Sequence, residues 1–256
     1  MIRSFRSEWL KLRRPGVLLS ALGGTVGFSV LGIVLGLRRI GRTGEFTALA
    51  LSQHGGFITI MSRGSEFIGI VALGIAAFAV SSEFTHGTLR NLLVREPHRL
   101  RLLAGKSLAL ATLIAGTVAL AYAVAFPVAL AVAPGHGIDT SSWTSGAGIG
   151  SLLSGTGDMI ITALGFGLLG VLLGMVFRSP APAIIAGFAY TLPIEALLVG
   201  SLGSSRNVLF AQQLDAIASG GTSQIAYGAA LAVAAAWAVG AVIATGALFR
   251  WRDVAV

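Results

Sequence analysis

Cysteine is absent from the 256 residues. That excludes disulfides, thiolate metal sites and a cysteine nucleophile, and it leaves the compartment open. Charge is scarce: 11% of the residues are charged, against about 25% in an ordinary soluble domain. Water must be met over most of a soluble surface, and 18 basic with 10 acidic side chains cannot do this for a chain of this length. A soluble enzyme is excluded on that ground. The 35 glycines follow no three-residue period, which excludes a collagen-like chain. What the chain has is a hydrophobic content of 55% and a mean hydropathy of +0.85, the composition of an integral membrane protein.

The net charge of +8 would suggest nucleic acid in a soluble protein. Here the basic residues gather in short segments between long apolar runs, as in cytoplasmic membrane loops. No nucleic-acid partner is expected; membrane lipids are.

A helix that crosses the hydrocarbon needs about 20 mostly apolar residues. Five runs qualify: Val17 to Leu37, Ser107 to Ala133, Met159 to Phe177, Ala181 to Leu202 interrupted by Glu195, and Ile225 to Phe249. A sixth, Phe67 to Ser82, is short. Extended back to Phe57 it takes in Arg63 and Glu66, which lie three apart and can neutralise each other on a helix. The expected fold is an all-α membrane protein with six transmembrane helices in a single domain, residues 1–256. The first run follows a basic segment but is too long for a signal-peptide core, so it reads as a retained span.

Orientation follows from the positive-inside bias. With both termini cytoplasmic, the inner segments hold Arg3, Arg6, Lys11, Arg13, Arg14, Arg90, Arg95, Arg99, Arg101, Lys106, Arg178, Arg250 and Arg252. The outer side keeps Arg38, Arg39, Arg42, Arg63 and Arg206, and the loop from Pro134 to Gly157 has no basic residue.

Two inner segments carry more information. Near the N-terminus, Ile2, Phe5, Trp9 and Leu12 form one stripe on a helix, with most basic residues elsewhere around it. Such a helix can lie in the headgroup layer or touch a cytoplasmic partner. Between spans two and three, Ser81 to Ser107 is too polar for lipid. It places Glu83 at the end of span two, a break at Gly87, then Thr88, Leu89, Arg90, Leu92 and Leu93 on a short amphipathic helix ended by Glu96-Pro97. The order Glu83, Gly87-Thr88-Leu89-Arg90, Leu92-Leu93, Pro97, Arg99 and Gly105-Lys106 resembles the cytoplasmic loop of type-2 ABC-transporter permeases. Those proteins are similar to this chain also in span number, in the preceding amphipathic helix and in length.

The resemblance implies a coupling helix over Glu83 to Leu93 that docks on a separate cytoplasmic nucleotide-binding ATPase. It implies ATP and Mg on that partner and no cofactor on this chain. It further implies a second permease copy or homologue alongside, a plasma-membrane location and, more commonly in the family, export. Taken from composition alone, the same loop is a solvated basic segment that sets topology. Gly105-Lys106-Ser107 matches the end of a phosphate-binding loop, but Leu100 stands where its first glycine is needed. An ATP-driven reading therefore requires a partner.

Glu195 is the one acid well inside a span. It is costly there, so it should face the protein interior, either on a translocation path or subunit interface or in a structural hydrogen bond to a neighbouring helix. As a proton site it would suit an ATP-independent secondary carrier, and with Asp158 it is the remaining candidate for a lipid enzyme. His54, His86, His98 and His136 are scattered, with no metal-ligand spacing. Gly23/Gly27, Gly32/Gly36 and Gly170/Gly174 permit close helix contact within the chain or across a homodimer. Trp143 suits the outer aromatic belt, and Asn207 to Asp215 suits a short re-entrant or surface helix.

Overall fold

The computed structural model describes residues 2–38, 40, 47–88, 99–201 and 207–251. Among these there are helices and no strand. Six helices are long and apolar enough to cross a membrane. Span one is Pro15–Leu37, span two Ser65–Thr85, span three Arg99–Val132, span four Gly146–Phe177, span five Pro180–Ser201 and span six Tyr227–Trp251. An N-terminal helix, Ile2–Leu12, precedes them, and a short helix, Phe210–Ala218, lies between spans five and six. Successive spans run in alternate directions. The N-terminal helix therefore shares one end of the bundle, the basic end, with the junctions of spans two and three and of spans four and five. Phe210–Ala218 sits at the far end.

Local chemistry explains the boundaries. Pro15 opens span one, where a missing N–H costs nothing. The Ser145 hydroxyl caps span four by accepting from the Gly148 N–H at 3.1 Å. Pro193 removes a donor and crowds the preceding turn, and span five accommodates it with a π-helical turn over Tyr190–Ile194.

Three expectations need correction. The stretch before span two does not extend that span; it is a separate helix, Gly56–Ser62, with the chain breaking at Arg63-Gly64. Span four starts at Gly146, so much of the expected loop from Pro134 to Gly157 is helix. Its glycines are contact points: a Cβ at Gly148 would lie 2.3 Å from the Trp143 carbonyl oxygen, and one at Gly155 would lie 2.5 Å from Ile58. Trp143 belongs to the core and not to a lipid-facing belt. It is 1% exposed, donates from Nε1 to the Leu51 carbonyl at 2.8 Å and meets Phe57 edge-on.

Spans two and four form the centre. A Cβ at Gly69 would lie 2.3 Å from the Phe166 ring, and one at Gly170 would lie 2.3 Å from the Leu73 carbonyl oxygen. Small residues bring the two backbones together, as suits helices that gain nothing from hydrophobic exclusion in lipid. Span one buries a stripe spaced by four, Ala21, Thr25, Ser29, Ile33 and Leu37. Its Gly23, Gly27 and Gly32 meet no neighbour within 4 Å, whereas a Cβ at Gly36 would meet Ile60 at 3.1 Å. Span six leaves Val239, Val242 and Ile243 exposed, which suits a lipid-facing helix.

Candidate functional site

The N-terminal helix docks on the basic end in an unexpected rotation. Its buried line is Ser4, Glu8 and Leu12, spaced by four; Phe5 and Trp9 flank it half-buried, their rings stacked at 6.1 Å. Of the apolar stripe read from the sequence, Leu12 is on the buried line while Phe5 and Trp9 are at the edge of the interface, and the charged Glu8 lies at its centre. Gly105 of span three allows the approach, because a Cβ there would sit 2.7 Å from the Ser4 Cβ.

Four charges meet at this junction. Lys106 Nζ of span three lies 2.9 Å from Glu8 and 2.9 Å from Glu83, and also donates to the Ala79 carbonyl at 3.1 Å. Lys11 Nζ reaches Glu83 at 3.0 Å and pairs with Glu8 as well. Two acids and two bases neutralise each other, and Glu8, Glu83 and Lys106 are all buried. Burial pushes the Glu8 carboxyl up, but Lys106 and Lys11 together outweigh this and hold it below the usual carboxylate range. Burial likewise pushes Lys11 down, and Glu8 and Glu83 together leave it above the usual lysine value. The quartet ties the N-terminal helix, the end of span two and the start of span three into one unit.

Of the candidate coupling residues, Glu83 lies in this quartet. Span two ends two residues later, capped at His86, with Gly87 at φ +64, the left-handed conformation that glycine tolerates best. Thr88 Oγ1 donates to the Glu83 carbonyl at 3.5 Å. Leu89, Arg90, Leu92 and Leu93 lie outside the described residues. The quartet partners Glu8, Lys11 and Lys106 were missed as site residues. Their signal in the sequence is slight: Glu8 and Lys11 lie three apart on an amphipathic helix, and Lys106 closes the residue order that carries the resemblance.

The junction of spans four and five adjoins the same place. Arg178 caps span four at φ 54, a left-handed conformation that L side chains rarely adopt. Its carbonyl accepts from Thr85 Oγ1 at 3.4 Å, and its guanidinium lies 5.8 Å from the centre of the Phe84 ring.

At the far end, Glu195 is 1% exposed. Its two oxygens both accept from the Ala211 N–H at 2.9 Å, and Oε2 also accepts from the Gln212 N–H at 3.3 Å. The carboxylate thereby caps the start of Phe210–Ala218, a favourable place for negative charge. Ser65 donates to Asp215 of that helix at 3.1 Å, and Tyr227 donates to Asp158 at 2.5 Å. Among the described residues no three His, Asp or Glu side chains converge on a metal position.

A family model described as ABC-2 family transporter protein matches residues 4–194. The chain belongs to this family. A search of curated proteins finds none that matches. As an ABC-2 family member the chain is a transmembrane subunit of an ABC transporter and a multi-pass membrane protein. The matched region takes in the whole quartet and stops just before Glu195, leaving out the far-end helix and span six.

Proposed function

We propose that this ABC-2 permease subunit faces the cytoplasm with its basic end and is driven by a separate nucleotide-binding ATPase that docks on Glu83 to Leu93. ATP and Mg belong to that partner, and this chain binds neither. A second permease copy or a homologue completes the membrane unit, and the direction is export. The observation that carries the reading is the anchoring of Glu83. A displacement of the end of span two is passed from Glu83 directly to Lys106 on span three and Lys11 on the N-terminal helix, and through both to Glu8. Thr85 and Phe84 offer a second route, through Arg178 to spans four and five. Coupling of this kind works only if the two transport states differ in their contacts with the docked ATPase.

In this reading Glu195 acts at the path or subunit interface through the far-end helix it holds. A carrier using Glu195 as its proton site would have to release that helix in each cycle. The direct test is Gly87→Pro, which removes the left-handed residue at the end of span two. ATP-dependent transport is expected to be lost while membrane insertion is kept. Full transport by this variant would remove the coupling assignment.

A further inference from the structure

Between the N-terminal helix, the first turns of span one and the flank of span two lies a cavity of about 1170 Å³. It exceeds the roughly 300–1,000 Å³ that encloses a drug-sized ligand. Its walls are mostly apolar, with Val17 of span one, Ile75 and Phe78 of span two and Ile184 of span five beside Ser20, Ser82 and His86, and the charged quartet closes its basic end.

Two features say what would fill it. The quartet is neutral as a whole, but its charges are unequally reachable. Lys11 exposes 39% of its side chain, against 3% for Glu8 and 10% for Glu83. Arg14, also on the lining, is exposed. A ligand therefore meets cations first, and it meets the opening turn of span one, whose dipole likewise favours an anion.

The second feature is Gly74, in the middle of span two and on the cavity wall. Gly69, one turn and a half earlier, is required because Phe166 presses on it. Gly74 has no such reason: a Cβ there would meet nothing within 4 Å. Like Gly23 and Gly27 of span one it faces open space, and on the cavity wall it leaves bare backbone against which an apolar chain can lie.

We propose that this cavity binds a membrane-resident amphiphile with a phosphate head group of net negative charge. The phosphate sits at Lys11 and Arg14, and the apolar chain runs past Val17 and Phe78 along Gly74. Only the role of the site, as access for the transported substrate from the cytoplasmic leaflet, rests on the proposed permease function; binding itself needs no ATPase.

The test is a titration of the full-length chain, purified in uncharged detergent, with acyl-labelled phosphatidylglycerol and acyl-labelled phosphatidylcholine, followed by fluorescence anisotropy. Phosphatidylglycerol is expected to bind about tenfold tighter or better. Gly74→Phe, which fills the cavity from an open position, is expected to raise both dissociation constants, with Gly74→Leu intermediate and the melting temperature unchanged. Arg14→Gln is expected to bring phosphatidylglycerol close to phosphatidylcholine. Equal affinities for the two lipids, or unchanged binding in both Gly74 variants, would overturn the proposal. So would a Gly74→Phe protein that binds lipid normally but changes from dimer to monomer by light scattering, since the cavity would then be a subunit interface. Lipid binding without ATP-driven transport would leave the site standing and remove only its role.

Discussion

Lys106→Met is the most informative perturbation of the basic end. The ammonium it removes is 7% exposed and touches Glu8, Glu83 and the Ala79 carbonyl. Two buried carboxylates would be left with Lys11 alone, and breaking a buried ion pair by removing one partner costs about 3–5 kcal/mol. Lys11→Met removes the other cation, but that side chain is 39% exposed and water can take its place. Its cost should stay near the 0–1 kcal/mol of a surface pair. The cysteine-free background supplies the assay, because Ser4→Cys places a single thiol at a position 5% exposed against Gly105. If labelling needs the N-terminal helix to lift, Lys106→Met should speed maleimide labelling about a hundredfold or more, and Lys11→Met by no more than about tenfold. Adding Glu8→Gln to Lys106→Met reduces the uncompensated charge and should recover part of the protection. Equal labelling rates in the two lysine variants would refute the argument that burial decides the cost.

Gly170→Ala should lower the melting temperature markedly, because its Cβ would lie 2.3 Å from a backbone oxygen of span two and cannot be relieved by rotating a side chain. Gly23→Ala, with open space around it, should not lower it. Arg178→Gly should hold or raise stability. Relief of a left-handed L residue is worth about 1–2 kcal/mol, against about 0.5–1 kcal/mol for an exposed cation–π contact; a clear loss of stability would mean that the Phe84 contact dominates. For pH, Glu8 sits below its ordinary 4.5, so its contribution is present above that value and is lost as pH falls through its lower folded-state value. Lys11 sits above its ordinary 10.5, so its contribution is present below that value and is lost as pH rises through its higher folded-state value. Protection of Ser4→Cys, normalised to an exposed thiol, should therefore be flat between the two ordinary values and be lost on the acid side of 4.5.

The spans were legible because crossing lipid demands long apolar runs, and little else in a sequence of this composition produces them. The basic segments between the runs gave the alternation of ends. What the sequence concealed was set by contacts between distant residues. Gly146 to Gly157 reads as a loop by its glycines and serines, yet it is helix, and Gly148 and Gly155 are where Trp143 and Ile58 press closest. The amphipathic N-terminal helix was visible in its spacing but not in its rotation. Glu8 is buried only because Lys106 waits 98 positions away, and no local pattern reports that partner. Glu195 stood out by its position in a span, but its partners, the amides of Ala211 and Gln212, depend on the chain turning back after span five.

As proposed, this ABC-2 permease subunit works under a separate ATPase docked at Glu83 to Leu93. Affinity purification of the tagged chain from its native membranes, with assay for a co-purifying ATPase, tests it most directly. An ATPase is expected in near-equal amount, and Leu92→Asp is expected to release it. A chain that purifies alone and transports in liposomes without ATP would contradict it.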